Sequence, residues 1–315
     1  MIVALIWLAA APQYDHGNPT PEEQLVLEMI NRARKDPSAE EARLKLKYGL
    51  PMSWTITEND PSAPFVVVAK PPLAFNALLQ GIARTHSKDM HDRAFFAHTN
   101  PDGKDPFDRM AAAGYSFSRA GENIAARSPL GTGPADLLED DLMIDAGVGG
   151  RGHRRNLLDI NGSLPYREIG IGYWSQVPVP GGWASLLTQD FGRAGGPFLT
   201  GVVYWDLDDD SFYDPGEGLG GVTVTHTASG TFAITSSSGG FAFPVPTVGS
   251  TTVTATGINL PGGSMVTPAP VALGTENVRV EFRVTMTAAP GGIRRLTSCR
   301  PTTAGTPSER ARMAV

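Results

Sequence analysis

Two apolar stretches decide the fold class: Ile169-Gly170-Ile171-Gly172-Tyr173-Trp174 and Ala184-Ser185-Leu186-Leu187-Thr188-Gln189-Asp190-Phe191. Runs of this length, rich in branched and aromatic residues, predict strands. Patterns typical of helices precede both of them along the chain. Because helices come before strands within one unit, the sequence predicts an α+β fold with helices packed on a sheet.

Capping residues and apolar residues at helical spacing predict the helices. Thr20-Pro21-Glu22-Glu23 combines an N-cap, a proline suited to the first helical position and a capping-box glutamate. The helix that follows is expected to end at Asp36-Pro37. Further helices are predicted over residues 75–93, 105–113 and 134–146, and the segment from Pro51 to Pro72 is expected to be irregular. On the helix at 75–93, His86 and His91 are five residues apart, so they are expected on different faces and not as a metal pair.

The composition excludes several classes of protein. The 315 residues include 36 Gly and 26 Pro, too many for a helical bundle, yet 41% of the chain is apolar and can form a core. At ~150 residues per domain, two domains are expected. Cys299 is the one cysteine of the sequence, which excludes an intramolecular disulfide and a four-cysteine zinc site. A net charge of −6 argues against a nucleic-acid partner.

The character of the sequence changes after Gly195-Gly196-Pro197. Short runs rich in Val and Thr follow, separated by Gly, Ser and Pro turns, and they predict a small all-β domain over residues 198–286 after a mixed domain over residues 20–194. Residues 197–286 carry 2 basic and 8 acidic side chains, whereas residues 287–315 carry 5 basic and 1 acidic. Since this last segment has no periodicity, it is predicted to be a disordered basic tail.

The first eleven residues have the character of an export signal. Residues 2–11 form an apolar run that ends in small residues and is too short to span a bilayer at ~20 residues per helix. We therefore predict a signal peptide over residues 1–11, an extracellular or cell-surface location, and no transmembrane helix in the mature chain. The alternatives are a buried helix or a true start upstream of Met1.

Four motifs occur in order along the first domain: Phe95-Phe96-Ala97-His98-Thr99, Ala120-Gly121-Glu122-Asn123-Ile124-Ala125, Gly152-His153-Arg154-Arg155-Asn156-Leu157-Leu158 and Thr188-Gln189-Asp190-Phe191-Gly192. Together they resemble the successive motifs of the bacterial branch of the CAP superfamily, the cysteine-rich secretory, antigen-five and pathogenesis-related proteins with SCP-like domains. The resemblance covers residues 22–192. It implies an α-β-α sandwich with a central antiparallel sheet and a solvent-open cleft, and the lack of disulfides fits the bacterial branch.

The resemblance also implies a tetrad in this cleft, formed by His98, Glu122, Asp145 and His153. Asp145 stands where the family has a glutamate and is shorter by one methylene. In some members the histidines bind a divalent metal such as zinc, so His98 and His153 are the candidate zinc ligands. Histidine with carboxylate is also the usual composition of a zinc site that keeps a position for water. The alternative interpretation is that His98 and Glu122 tie loops together by hydrogen bonds.

A second group of polar residues lies in the β domain, from Asp206 to Glu217. Oxygen-bearing side chains occupy positions 1, 3, 5, 9 and 12 of this loop, with the carbonyl of Phe212 at position 7, which is the spacing of a calcium loop; the side chains are Asp206, Asp208, Asp210, Asp214 and Glu217. Hard oxygen ligands in this number do not suit zinc. Ser211 stands at position 6, where glycine normally takes a left-handed turn. The alternative interpretation is a solvated acidic turn.

The surroundings of the acidic loop carry a second resemblance. A strand at Val202-Val203-Tyr204-Trp205 precedes the loop, and Leu219-Gly220-Gly221-Val222-Thr223-Val224 follows it. This order is similar to the calcium-binding B-type repeat domains of bacterial surface adhesins, over about residues 198–286. The resemblance implies a prealbumin-like β-sandwich that is stiffened by Ca²⁺ and serves as a stalk or spacer.

Three functions are compatible with the sequence. The first is a secreted or surface protein whose cleft binds a small apolar or envelope-derived ligand, carried on a calcium-stabilised β domain. The second is a metal-dependent, peptidase-like hydrolase in which Zn²⁺ on His98 and His153 polarises water and Glu122 takes its proton. Two histidines are fewer than the three protein ligands of a typical catalytic zinc, which favours the first. The third is a structural or adhesive envelope protein.

Overall fold

The structure is a computed structural model that describes residues 13–56, 67–127, 134–160, 164–227, 231–245 and 249–285, together with the main chain of residues 312–314. The predicted signal peptide at residues 1–11 and Cys299 lie outside the described residues. The helices are α1 (Pro21–Lys35), α2 (Pro37–Tyr48), α3 (Ala77–Asp92), α4 (Pro106–Ala112), α5 (Ala135–Ile144) and α6 (Gly152–Leu157). Among the described residues, no helix is long and apolar enough to cross a membrane.

Helix α1 begins with the predicted capping box. The Thr20 hydroxyl accepts a hydrogen bond from the main-chain N–H of Glu23 at 3.2 Å, and the Glu23 carboxylate accepts one from the N–H of Thr20 at 2.8 Å. Asp36 ends α1, and its side chain then caps α2 by accepting from the N–H of Ala39 at 3.0 Å. The sequence analysis expected only the end of a helix at Asp36-Pro37, because the same pair of residues can end one helix and start the next.

The first sheet has the strand order β1-β3-β4-β2-β14. Its members are β1 (Ala74–Phe75), β2 (Arg119–Arg127), β3 (Glu168–Ser175), β4 (Ser185–Arg193) and β14 (Arg312–Ala314). Strands β3 and β4 confirm the strands predicted at residues 169–174 and 184–191. All neighbours are antiparallel except β1 and β3. In the described parts of the segment 51–72, residues 51–56 and 67–72, there is no helix or strand, as expected.

Strand β14 corrects part of the prediction for the C-terminal segment. The sequence predicted a disordered tail over residues 287–315, and residues 286–311 lie outside the described residues. Residues 312–314, however, pair with residues 124–126 of β2 in an antiparallel ladder. The edge of β2 offers main-chain N–H and C=O groups that another segment can pair with, and this does not depend on any periodicity in the added strand.

The sheet lies between two layers of helices. Ile169 and Ile171 of β3 belong to a core that includes Val26, Leu27 and Ile30 of α1 and residues of α5. Since successive residues of a strand point to opposite faces, Gly170 and Gly172, which alternate with these isoleucines, face the other layer. That layer is α3, which packs against β3 and β4. The arrangement is the α-β-α layering that the sequence analysis expected.

Glycine is required where α3 crosses β3. A Cβ atom built on Gly170 would lie 2.0 Å from the main-chain carbon of Leu79, and one on Gly172 would lie 2.2 Å from that of Ala83. Both distances are far below normal contact between carbon atoms. The backbone of α3 therefore rests directly on the backbone of β3, and no side chain separates them.

The chain from Phe198 to Thr285, which we call the β domain, contains strands and one short 3₁₀ turn among its described residues. The strands are β5 (Phe198–Asp206), β6 (Thr223–His226), β7 (Phe232–Ile234), β8 (Gly240–Pro244), β9 (Gly249–Thr251), β10 (Val253–Thr256), β11 (Ser264–Val266), β12 (Val271–Leu273) and β13 (Val278–Thr285). They form sheets of order β11-β10-β6-β7, β13-β5-β8 and β12-β9. The first two contribute side chains to one shared apolar core.

The β domain contacts the first domain through hydrogen bonds and charges as well as apolar surface. The Asn277 amide donates to the carbonyls of Pro72 at 3.0 Å and Arg167 at 2.7 Å, and its oxygen accepts from the N–H of Phe198 at 2.9 Å. Arg279 of β13 donates to the buried carboxylate of Glu28 on α1 at 2.9 and 2.5 Å. The two domains therefore meet through specific, directional contacts.

A fully buried arginine joins α1 to the end of α6. Arg34 donates to the carbonyls of Pro71 at 2.8 Å and Leu157 at 2.9 Å, and its guanidinium lies 3.8 Å from the carboxylate of Asp159. Asp159 also accepts from Arg119 and from the N–H of Tyr166. Burial, the largest effect, lowers the pKa of Arg34 to about 10, and the Asp159 charge opposes that shift. The guanidinium stays charged at neutral pH, and the two carbonyls and the Asp159 carboxylate compensate the burial of its charge.

We expect Arg34→Met to lower the free energy of unfolding of the first domain by about 3–5 kcal/mol, because removing one partner of a buried ion pair leaves the other charge under-compensated. Urea unfolding followed by far-UV circular dichroism measures the change. The neighbouring Lys35→Met, at an exposed position, is the matched control and should change stability by no more than about 0.5 kcal/mol. Equal effects of the two substitutions would contradict the role assigned to Arg34.

Helix α5 contacts the sheet through a buried carboxyl group. Glu139 accepts a hydrogen bond from the amide of Gln189 on β4, and its other oxygen is buried with no hydrogen-bond partner among the described residues. Burial is the main cause that raises the pKa of Glu139 well above its ordinary value, and the hydrogen bond from Gln189 only partly offsets it. The folded protein therefore favours the neutral form of this carboxyl group more strongly than the unfolded chain does.

Glu139→Gln should make stability less dependent on pH. In the wild type the pKa of Glu139 is higher in the folded than in the unfolded state, so unfolding at a pH between the two values releases a proton. The free energy of unfolding then falls as pH rises above the ordinary glutamate pKa of about 4.3, and continues to fall up to the raised folded-state value. In the variant, the new side-chain amide can still accept the hydrogen bond from Gln189, but it does not titrate. Urea unfolding at pH 5 and pH 8 should show a smaller decrease for Glu139→Gln, and the exposed control Asp102→Asn should match the wild type. Identical decreases in wild type and Glu139→Gln would refute this.

Candidate functional site

The first half of the predicted tetrad is a hydrogen-bonded pair between a loop and a strand. His98 lies between α3 and α4, and Glu122 lies on β2; His98 Nδ1 is 2.7 Å from Glu122 Oε1. Because an ionised carboxylate only accepts, the His98 Nδ1–H is the donor. The side chain of His98 is 21% exposed and that of Glu122 is 1% exposed. His98 is therefore the member of the pair that solvent or a ligand can reach, and Glu122 orients it from behind.

Arg109 of α4 completes this pair. Its guanidinium donates to the second oxygen of Glu122 at 2.5 Å and to the carbonyl of His98 at 2.7 Å. Burial opposes ionisation of Glu122, but the hydrogen bond from His98 and the charge of Arg109 help to outweigh it and hold the Glu122 pKa below its ordinary value. Arg109 was not predicted from the sequence, because nothing in a short helix thirteen residues before Glu122 indicates which of its charged side chains faces the sheet.

The segment that carries His98 is itself held in place by a histidine of α3. His86 donates from Nε2 to the carbonyl of Ala97 at 3.1 Å, and burial is the main cause that lowers its pKa to about 4. His91, on another face of α3, donates from Nε2 to the carbonyl of Val177 at 3.1 Å. The two histidines thus contact separate main-chain carbonyls.

The second half of the tetrad joins the end of α5 to α6. Asp145 ends α5 in the left-handed conformation, with φ 54° and ψ 40°. One of its oxygens lies 2.7 Å from His153 Nδ1, and the other accepts from the N–H of Arg154 at 3.2 Å. The shorter aspartate therefore still reaches its histidine. The side chains of His153 and Asp145 are only 1% and 0% exposed, so this pair is enclosed where the first is open.

Two successive residues of β2 link the pairs. Glu122 and Asn123 point to opposite faces of the sheet, as neighbours in a strand do. Glu122 holds His98 on one side, and the Asn123 amide donates to the carbonyl of His153 at 3.2 Å on the other. Asn156, from the same motif as His153, donates to the Asn123 side-chain oxygen at 2.9 Å. The motif at residues 120–125 therefore connects both pairs through one strand.

A second carboxyl group lies beside Glu122. Asp190 pairs directly with Glu122 across β2 and β4 and is fully buried, and among the described residues no N–H or hydroxyl group donates to either of its oxygens. Burial first, and then the charge of Glu122, raise the pKa of Asp190 well above its ordinary value. The pKa of Asp190 is shifted toward the neutral form and that of Glu122 toward the ionised form, which favours the charge on the residue that contacts His98.

The geometry around the candidate zinc ligands is that of hydrogen-bonded pairs. The donor atoms of His98, Glu122, Asp145 and His153 do not include three that lie within 4.8 Å of one another, as judged over the described part of the chain. Both carboxylates already accept hydrogen bonds at each oxygen. A zinc ion here would thus have His98 and the enclosed His153 as its protein ligands, and this does not fit a catalytic zinc with three protein ligands.

An aromatic surface adjoins the first pair. Ile124 and Ala126 alternate with the residues between them, so they share a face of β2 with Glu122. They belong to an apolar cluster with Met90 and Leu186, against which four partly exposed aromatic side chains pack, namely Phe95, Phe96, Trp174 and Trp183. The rings of Phe96 and Trp183 are 5.8 Å apart between centroids. A charged pair and a group of half-exposed aromatic rings therefore lie on the same side of the sheet.

The acidic loop of the β domain brings part of its predicted ligand set together. Carboxylate oxygens of Asp206, Asp208 and Asp210 lie within 4.8 Å of one another. Glu217 turns back into the loop, where its two oxygens accept from the N–H groups of Leu207 and Asp214, each at 2.8 Å. Asp214 and Glu217 do not join the group of three within that distance. Both carboxylate oxygens of Glu217 thus already accept hydrogen bonds that hold the main chain of the loop in place.

The main chain of the acidic loop has the turn expected of its spacing. Ser211 has φ 67°, so the residue at position 6 is left-handed although it is not glycine, and Asp209 has φ 64°. Asp206 is 3% exposed, and one of its oxygens is buried without a hydrogen-bond partner among the described residues. The other accepts from the N–H of Ser211 at 3.2 Å and from Arg283 at 3.3 Å. A buried anionic oxygen without a donor is the kind of atom that a cation satisfies.

Comparison with known proteins identifies the first domain. Residues 27–174 match the family model of the cysteine-rich secretory protein family, CAP, and this range contains His98, Glu122, Asp145 and His153. A curated relative is the uncharacterized protein YkwD of Bacillus subtilis (strain 168), 35% identical over 122 residues, or 38% of this chain. The match spans only 39% of the length of YkwD.

A solved structure also matches. It is the 1.5 Å crystal structure of an extracellular protein containing an SCP domain from Bacillus anthracis str. Ames, with 28% identity over 39% of this chain and 34% of that chain, and a TM-score of 0.29. The β domain lies beyond the range that the family model matches. Residues 27–174, which contain three of the four motifs, therefore form a domain of the CAP family, and the fourth motif at residues 188–192 lies beyond the matched range.

Proposed function

We propose that this chain is a secreted or surface protein whose CAP domain binds a lipid-like or envelope-derived ligand and whose β domain is stiffened by Ca²⁺. The observation that carries the first part is the position of the His98–Glu122 pair beside the aromatic surface on the same face of β2. The family match supports the location, since the family is named for its secretory members.

The two parts of this face suit the two ends of an amphipathic ligand. Half-exposed aromatic rings such as Phe96 and Trp183 contribute apolar area that a chain or ring of a ligand can cover. His98, 21% exposed and fixed by Glu122 and Arg109, offers a polar contact at the edge of that area. A ligand with an apolar body and a polar end is therefore the class that this face would recognise.

The hydrolase alternative has weaker support. Its zinc would be held by His98 and His153, where it would supply polarisation of a bound water molecule. Glu122, which that mechanism needs as a base, is already engaged at both oxygens by His98 and Arg109, and its depressed pKa makes it a weak base. His153 is enclosed. The same arrangement is well suited to holding His98 in one orientation.

Trp183→Ala should weaken the binding of a fluorescent fatty acid about ten-fold, because one large aromatic contact contributes about 1.5–3 kcal/mol of burial. Fluorescence titration of the full chain measures the affinity. Leu46→Ala, which removes an apolar side chain that is 88% exposed on α2, is the control and should bind as the wild type does. A wild type that does not bind the probe, or variants that bind it equally, would argue against the proposed ligand class.

The proposed calcium site rests on the acidic loop. Asp206, Asp208 and Asp210 place carboxylate oxygens within 4.8 Å, and one oxygen of Asp206 is buried without a partner among the described residues. Like charges at this separation repel one another unless a cation lies among them. The carbonyl of Phe212 and the side chains of Asp214 and Glu217 would complete the ligand set after a small movement of the loop.

Calcium should raise the melting temperature of the β domain, and a chelator should lower it. A ligand at one hundred times its dissociation constant contributes about 2.7 kcal/mol of stability. Asp208→Asn should abolish the response, whereas Asp209→Asn should keep it, because it removes the same charge at position 4, which supplies no ligand in this spacing. Differential scanning calorimetry with calcium and with EGTA provides the measurement. A melting temperature that ignores the chelator, or equal behaviour of the two variants, would rule out the site.

A further inference from the structure

Two aromatic residues of the acidic loop, Phe212 and Tyr213, contact α1 of the first domain. The guanidinium carbon of Arg32 lies 4.2 Å from the centre of the Phe212 ring. Tyr213 is 1% exposed, packs in a cluster with Val202, Tyr204 and the α1 residue Leu25, and donates its hydroxyl to the carbonyl of Pro21 at 3.5 Å. The loop is therefore part of the junction between the two domains.

These aromatic residues stand between the calcium ligands along the chain. Phe212 and Tyr213 occupy positions 7 and 8 of the loop, after Asp206, Asp208 and Asp210 and before Asp214 and Glu217. Position 7 supplies its main-chain carbonyl to the cation, and its side chain is left to point elsewhere. Residue Phe212 would thus offer its main-chain carbonyl to Ca²⁺ while its ring contacts Arg32 of α1.

Charge makes the conformation of this loop dependent on a cation. The clustered carboxylates of Asp206, Asp208 and Asp210 have Arg283 as their one cationic contact within the described residues, and it reaches only Asp206. Asp209 and Ser211 are in the left-handed region, which is less favourable for residues other than glycine. Repulsion and backbone strain both favour opening of the loop, and opening would withdraw Phe212 and Tyr213 from α1.

We propose that the acidic loop is a calcium-dependent clasp between the two domains, in which Ca²⁺ binding and the packing of Phe212 and Tyr213 on α1 stabilise each other. This rests on the proposed calcium site. Coupling of this kind is reciprocal, so contacts on α1 must affect calcium affinity as much as calcium affects the contacts. Typical coupling changes an affinity by about 5–150-fold.

The decisive variant is Phe212→Ala, because it removes the ring that Arg32 covers and keeps the carbonyl and all five carboxylate ligands. Isothermal titration of the full chain with CaCl₂ should give an affinity at least about five-fold weaker than that of the wild type. Leu207→Ala is the matched control: Leu207 lies in the same loop at a position that supplies no ligand, and its side chain is 60% exposed. It should bind calcium as the wild type does.

Arg32→Gln tests the clasp from the opposite side of the junction, without any change in the loop. It should weaken calcium binding in the same direction as Phe212→Ala. Hydrogen exchange of the amides of α1, residues 21–35, gives an independent readout: calcium should slow it in the wild type and in Leu207→Ala, and should have a smaller effect in the other two variants.

The outcomes separate the clasp from the site on which it rests. If the wild type binds no calcium, both the calcium site and the clasp are wrong. If it binds calcium, but Phe212→Ala and Arg32→Gln bind it equally well and exchange in α1 is insensitive to calcium, the site stands and the clasp is overturned. Weaker binding in both variants together with calcium-dependent protection of α1 establishes the clasp.

Discussion

The antiparallel pairing of β2 with β4 is the constraint on which the candidate cleft depends. It fixes Glu122 and Asn123 to opposite faces of the sheet, so one dipeptide holds His98 on one side and the main chain of His153 on the other. It also sets Asp190 opposite Glu122, where burial raises the pKa of the Asp190 carboxyl group. A slip of one residue in this pairing would exchange the faces and separate both histidines from their partners.

The two pairs have different environments and hence different capacities. His98 is partly open to solvent and is held by a carboxylate that Arg109 neutralises, whereas His153 is enclosed and bonded to an aspartate at the end of a helix. An open, oriented imidazole suits contact with a ligand. An enclosed one suits the joining of α5, α6 and β2 into one rigid unit. Although both are histidine–carboxylate pairs, the first therefore suits contact with a ligand and the second suits support of the fold.

Much of the fold could be predicted because its signals are local. The capping box at Thr20 and the apolar runs of β3 and β4 depend on residues close together in the chain. The motifs also indicated the members of each His–carboxylate pair. Arg109 and the raised pKa of Asp190 could not be predicted, since both follow from which side chains the tertiary structure brings to Glu122. Helix α2 was not predicted, because Asp36-Pro37 can end one helix and also begin the next. The pairing of residues 312–314 was not predicted either, because the edge strand β2 can pair with segments of many different sequences.

The direct contact of α3 with the backbone of β3 limits how far this part of the first domain can adjust to a ligand in the proposed function. Gly170 and Gly172 leave no side chain between helix and strand that could be compressed or rearranged, so α3 cannot shift toward the sheet or turn about its axis. His86, on α3, in turn holds the segment that leads to His98. Helix α3 and strand β3 are therefore preformed, and the ligand of the proposed function would bind beside them without a cost of ordering them. Selection among such ligands would then depend on the fixed shape of this helix–strand unit, which does not adjust to each ligand.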